Sequence, residues 1–175
     1  MMMLSDAEIL EAIRKGKIII DPFREENVGP CSVDLTLSSK FTLFEEGQVI
    51  DSRLGETVKT QTIDAKGGEI ELKPGQFILA KTVEKIAVSK DIAATLEGRS
   101  SIARLGVFVH AAGLVNPGSG LTKPVPMVLE VFSQNSSPVK LYPGMKIVQI
   151  IFHKLSTPAR QGYDERKASR FVGQE

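Results

Sequence analysis

The sequence is poor in the residues from which covalent or metal-held scaffolds are made. Its one cysteine, Cys31, excludes an intrachain disulfide framework and suits a reducing cytoplasm. With two well-separated histidines, His110 and His153, it cannot assemble an ordinary structural zinc site. The H-x-E and P-C-x-x-C pattern of zinc deaminases is also missing, which excludes catalysis of that kind. No apolar run reaches the length of a membrane span, and the first residues lack the apolar core of a signal peptide. Charge of one sign is lacking too. Lys and Arg number 22 against 21 Asp and Glu, a net +1, so no global field attracts nucleic acid or a membrane. Any site for a polyanion must be local.

What is present is enough chain, 175 residues, for one domain over 1–175 with a substantial core. Ser5-Asp6-Ala7-Glu8 has the spacing of a capping box; Ile9, Leu10 and Ile13 form one apolar stripe, and Gly16 is the stop. That predicts one short N-terminal helix. Val33, Leu35 and Leu37 alternate with polar neighbours, the period of a half-buried strand. Further short strands are predicted at 17–21, 41–44, 49–51, 57–63, 69–72, 92–96, 107–109, 125–132, 139–141 and 146–155, punctuated by Gly67-Gly68 and Pro74-Gly75. Leu72-Lys73-Pro74-Gly75, followed by Phe77-Ile78-Leu79, is echoed by Leu141-Tyr142-Pro143-Gly144, followed by Ile147-Val148, which points to related hairpins in one body. Many short strands with few helices predict a sandwich, jelly roll or distorted barrel. Residues 159–175 are polar and read as a mobile tail.

The densest chemistry lies in residues 96–106, where Arg99, Ser100, Ser101 and Arg104 fall within six positions between Gly98 and Gly106. Ser100 or Ser101 is predicted to cap a short helical turn that Gly106 ends, and its amides, hydroxyls and arginine make an anion site. In isolation, such a string is a capped turn with solvated arginines. Glu130 is an acid inside an otherwise apolar strand. Alternation alone points it to solvent, whereas partial desolvation beside Arg99, Ser100 or Arg104 would make it a general base with a raised pKa. Residues 111–118 are small and read as a hairpin whose backbone can touch a planar ligand, or as an ordinary Asn-Pro-Gly turn. His110 reads as a satisfied histidine, and His153 receives no role. A serine hydrolase is disfavoured because no G-x-S-x-G elbow is present.

Gly98-Arg99-Ser100-Ser101-Ile102-Ala103-Arg104-Leu105-Gly106, Val128-Leu129-Glu130, and Pro143-Gly144-Met145 leading to Gln149 together resemble the dCTP deaminase family of the trimeric dUTPase-like superfamily. Leu4-Ser5-Asp6 with Ile9, and Pro30-Cys31-Ser32-Val33-Asp34-Leu35, are similar to its opening motifs. Tyr163, Arg170, Phe171, Gly173 and Gln174 resemble its C-terminal lid, with arginine at 170 where many members have lysine. The resemblance implies a mainly β, dUTPase-like distorted barrel or jelly roll with a short N-terminal helix and a lid over 159–175. It also implies a cytoplasmic homotrimer with active sites between subunits, and a deoxynucleoside triphosphate bound with Mg²⁺ and without zinc. Glu130 matches the water-activating glutamate that turns dCTP into dUTP and ammonia, a step towards dUMP and dTTP, while Ser100 and Arg104 match residues that position the water and stabilise charge. Arg99, Ser101, Ile102 and Ala103 fall in the triphosphate-binding string. Asn116, Val128, Leu129, Gln149, Tyr163, Arg170 and Gln174 match other nucleotide contacts. His110 is the candidate for inhibition by dTTP.

Three features depart from the family pattern. Asn116 stands where most members have an aspartate implicated in hydrolysis; an amide can hydrogen-bond a sugar hydroxyl but cannot act as a base. Residues 118–126 make a longer link to the Glu130 strand than usual, and Lys123 with Pro124 and Pro126 is expected to reshape the pocket rim. The sequence stops at Glu175, where members commonly continue, which leaves open either a shortened lid or a chain that has been cut. The leading expectation is therefore deamination of dCTP to dUTP. The alternatives are a dUTP diphosphatase, a bifunctional enzyme, or a nucleotide-binding regulator with weak turnover.

Overall fold

A computed structural model describes residues 2–53, 58–110, 112–169 and 172–173. Two open sheets face each other, and a two-stranded ribbon lies beside them. The architecture is jelly-roll-like and mainly β, and neither sheet closes into a barrel. No helix among the described residues is long and apolar enough to cross a membrane.

The chain enters through β1 (Met2–Met3) and α1 (Asp6–Arg14). Ser5 caps α1 as its sequence demands: the Ser5 hydroxyl accepts the Glu8 amide, and the Ser5 amide donates to the Glu8 carboxylate at 2.9 Å. Leu4 and Ile9, before and inside the first turn, are both in the core. β2 (Ile18–Asp21) and β3 (Val33–Thr36) follow, then β4 (Lys40–Phe44), β5 (Thr60–Asp64), β6 (Ile70–Leu72) and β7 (Phe77–Val88). The second half holds β8 (Ile92–Gly98), the helical turn α2 (Ser100–Ala103), β9 (Val107–His110), β10 (Leu114–Val115), β11 (Val125–Ser133), β12 (Val139–Leu141) and β13 (Lys146–Lys154).

The first sheet runs β1-β13-β8-β10, with β3 also on β13. The second runs β5-β4-β7-β11-β9, with β2 also on β7. Between them the inward residues of each strand form the core, Leu35, Phe41, Ile78, Leu129, Val131, Ile150 and Phe152 among the most buried. The repeated Leu-x-Pro-Gly segments end strands that pair with each other: β6 and β12 form the ribbon, Ile70 opposite Leu141 and Leu72 opposite Val139.

Three expectations change. Residues 49–51 are not a strand; Val49 is 98% exposed, so its apolar character buries nothing. β7 is far longer than its apolar start. Its inward positions include Thr82 and Glu84, which break the hydrophobic alternation but find partners. The register between β7 and β11 jumps between Pro126 and Val128, and the Thr82 hydroxyl accepts the Met127 amide at 2.9 Å across the jump. Glu84, 3% exposed, accepts the Thr36 amide and hydroxyl, each at 2.8 Å. Residues 111–118, expected as a hairpin, do not join two strands that pair with each other. β9 pairs with β11 in one sheet and β10 with β8 in the other, so this stretch crosses between sheets.

Candidate active site

β11 organises the site because its alternation separates core from cleft. Met127, Leu129, Val131 and Ser133 point inward, and Val128, Glu130 and Phe132 point out. Glu130 is half-buried, with Leu79 of β7 on one side and His110 of β9 on the other. It lines a cleft of about 460 Å³ that also holds Asn116, Val128 and Tyr163, four of the residues expected from the sequence. Leu114, Val115 and Met127 supply apolar wall, and Ser119, Gly120, Asp164 and Gly173 complete the rim. An acid and an amide in a mainly apolar cleft can orient a polar ring and activate a water beside it.

The Arg-Ser-Ser string is elsewhere. Arg99 occupies the N-cap position of α2 without a side-chain capping bond, so neither serine caps the turn. Ser100 and Ser101 are instead its first two residues, exposed, as are Ala103 and Arg104. Gly106 ends the turn in the left-handed region, φ +72°. Ile102 is in the core, and so is Leu129; either can reach a ligand only through its main chain. Arg104 and Leu105 lie past the Ser133 end of β11, where the Asn135 side-chain amide donates to the Leu105 carbonyl. Three residue steps of β9 separate that end from the Glu130 row, about 10 Å at ~3.4 Å per residue. Within one chain, Arg104 and Glu130 are not neighbours.

On the first sheet, Asp34, Gln149 and Glu97 stand in one row across β3, β13 and β8. Asp34 Oδ2 lies 2.5 Å from Arg99 Nη1 and 3.1 Å from Lys146 Nζ. The Arg99 contact is a close ion pair between part-buried groups. Gln149 Oε1 accepts the Ser32 hydroxyl at 3.2 Å. His153, given no role, is buried and 3.0 Å from the Thr95 hydroxyl. Arg170 and Gln174 lie outside the described residues.

Sequence reasoning missed Ser119 and Asp164. Asp164 takes two loop amides, Gly120 at 3.2 Å and Thr122 at 2.9 Å. Its only signal was adjacency to Tyr163 and the Gly-x-Gly spacing at 118 and 120, which marks a close backbone approach.

With this geometry in view, comparison with known proteins gives first the fold and then the family. The chain superposes on a crystal structure of 2′-deoxycytidine 5′-triphosphate deaminase from Agrobacterium tumefaciens with a TM-score of 0.64 at 22% identity. The match covers 87% of this chain and 47% of that one, so the chain spans about half its length. Residues 3–155 match the dCTP deaminase-like family model, and the chain belongs to that family. It is 39% identical over 179 residues to the "dCTP deaminase, dUMP-forming" of Thermobifida fusca, covering 99% of this chain and 89% of that protein. It is 36% identical over 182 residues to the "dCTP deaminase" of Haloarcula marismortui, covering 99% and 91%.

Proposed function

We propose that the chain hydrolyses the C4 amino group of dCTP, giving dUTP and ammonia. The observation that carries this is Glu130, half-buried in an apolar cleft beside Asn116 and Tyr163, in a chain whose relatives bear that activity in their names. Glu130 takes a proton from water as the oxygen bonds to C4, then delivers it to the departing amine, so the carboxylate is regenerated each turnover. Ser100 orients the water, and Arg104 stabilises the charge that develops on the ring.

Arg104 lies before the Val107 end of β9, itself about 10 Å along the strand from the Glu130 row, and neither it nor Ser100 lines the Glu130 cleft, so in this reading Ser100 and Arg104 come from a second copy, in a homotrimer with shared sites. The face that carries Glu130 supports this reading. Phe77, Phe132 and Phe108 stand side by side on it, each more than a third exposed, and Phe44 packs against Phe77 at 5.7 Å between ring centroids. An aromatic row of this kind favours burial by a partner.

Arg99 and Ser101 hold the triphosphate. Arg99 is part-exposed at the start of α2, and its planar fork matches a phosphate group. Mg²⁺ arriving with the nucleotide would neutralise part of the charge on its phosphates. The exposed single Cys31 suits the reducing cytoplasm in which we place the protein.

A second reading takes the product further, to dUMP and pyrophosphate. The name of the Thermobifida relative favours it; the amide of Asn116, which cannot act as a base, favours dUTP. Incubation with dCTP and Mg²⁺, resolving ammonia, dUTP, dUMP and pyrophosphate, decides. Ammonia with accumulating dUTP supports the proposal. Ammonia with dUMP and pyrophosphate supports the bifunctional enzyme, and dUMP from dUTP alone supports a diphosphatase. Tight nucleotide binding without turnover leaves a regulator.

A further inference from the structure

The loop after Asn116 and the segment around Tyr163 are far apart in sequence, yet they are built to meet. Gly118 and Gly162 touch: a Cβ on Gly118 would lie 2.6 Å from the Gly162 Cα. The Tyr163 amide donates to the Pro117 carbonyl at 2.9 Å, and the Asp164 amide to the Gly118 carbonyl at 3.3 Å. Asp164 then closes the contact in the opposite sense, one carboxylate oxygen accepting the Gly120 amide and the other the Thr122 amide. From behind, Glu165 braces the turn by accepting the Gly162 amide at 2.9 Å and pairing with Lys90 at 3.3 Å. The amide bonds accepted by the Asp164 and Glu165 carboxylates are charge-assisted, stronger than neutral ones, and they fix main chain rather than a side chain.

The clasped pieces are one wall of the cleft. Asn116, Gly120, Tyr163 and Asp164 line it, whereas Glu130 stands on β11, whose position is set by its neighbours in the sheet. The loop Asp164 grips is the long 118–126 link, and without the grip a glycine-rich loop has many conformations to lose when ligand binds. We propose that Asp164 is a positioning residue: it pre-orders the 118–122 loop and Tyr163 as the wall against which the nucleotide binds. This rests on the dCTP reading. Because the wall orders the ligand and does not move the proton, loss of the clasp acts on KM more than on kcat.

The test uses the full chain and the variants Asp164→Ala and Asp164→Asn. The expected result is a rise in KM for dCTP of about tenfold for Asp164→Ala, the scale of one charge-assisted hydrogen bond. Turnover stays within about threefold. Asp164→Asn keeps one acceptor oxygen and falls between, and this graded rescue is something a general loss of folding would not produce. Amide exchange over residues 118–122 accelerates in Asp164→Ala, while exchange in β11 is unchanged.

Binding has its own readout. The protein has no tryptophan and two tyrosines, so in a Tyr142→Phe background the emission of Tyr163 reports nucleotide directly. A KM within twofold of wild type overturns the proposal, as does unchanged exchange over 118–122. If wild type releases no ammonia, the deamination reading fails by itself. The clasp is then judged by titrating Tyr163 emission with dCTP and dUTP: weaker binding by Asp164→Ala supports it, and equal binding overturns it.

Discussion

Gly120→Ala isolates what the close approach around the cleft costs. The residue has φ +73°, where an L side chain is strained by about 1–2 kcal/mol. A Cβ placed there would lie 2.4 Å from the Ile86 carbonyl oxygen, and Ile86 is paired to β11 and β2 on both sides, so that oxygen cannot rotate away. Overpacking of this kind adds roughly 1–3 kcal/mol. Gly75→Ala is the control: its φ is +71° and nothing lies within 4 Å of the added atom. Both variants share the backbone strain and the small gain from a stiffer unfolded chain, and only Gly120→Ala meets the carbonyl. Urea unfolding at one fixed protein concentration measures both. With a slope near ~2 kcal/mol per molar, Gly120→Ala should have a midpoint about 0.5–1.5 M below that of Gly75→Ala. Equal midpoints would show that the loop yields around Gly120 at no cost, and the rigid wall described above would be wrong.

Glu130→Gln keeps shape and loses basicity, so kcat should fall by about 10²–10⁴ while dCTP binds as before; turnover near the wild-type rate refutes the base. Arg99→Ala should weaken dCTP and dUTP alike by about 10–100-fold in titrations, and a loss confined to one base would remove Arg99 from the phosphate site. If Asn116 is what stops the reaction at dUTP, Asn116→Asp should produce dUMP and pyrophosphate from dUTP, measured by product chromatography; no gain refutes that role. Asp91 is held below its ordinary 3.8 first by its bond to Lys17, then by Ser89, against the opposing effect of burial. Its stabilising effect is therefore present above 3.8 and lost as pH falls through the lowered value. Asp91→Asn should lower the Tm at pH 7, with the gap closing well below pH 3.8; a gap that persists in acid contradicts the ion pair as its source.

Local signals were legible where one residue type had one use. The Ser5 and Glu8 spacing gave α1 its start, and the alternation at Val33, Leu35 and Leu37 gave β3 its inward face. They failed where tertiary partners overrode them. Thr82 and Glu84 look like surface residues, but they are inward positions satisfied by Met127 and Thr36, so only the apolar start of β7 was legible. Val49 and Ile50 look like a strand but have no sheet to join. In the site, Glu130 stood out as an acid among apolar neighbours, whereas its meeting with Asn116 and Tyr163 depends on how the β10–β11 link and the segment after β13 fold back. Asp164 was invisible because its partners are backbone amides, which every loop has.

The position of β13 has a consequence for how the protein is made. It is the last long strand in the chain, yet it fills the middle of the first sheet, pairing with β8 on one edge and with β1 and β3 on the other. The strands β1 and β3 therefore wait until residues 146–154 have been synthesised before their partner exists. Until then the edges of β3 and β8 that pair with β13 have no partner, and contacts of such long sequence separation form slowly. Folding must follow release of residues 146–154 from the ribosome tunnel, and a message truncated before them yields a chain with open strand edges, destined for aggregation or degradation.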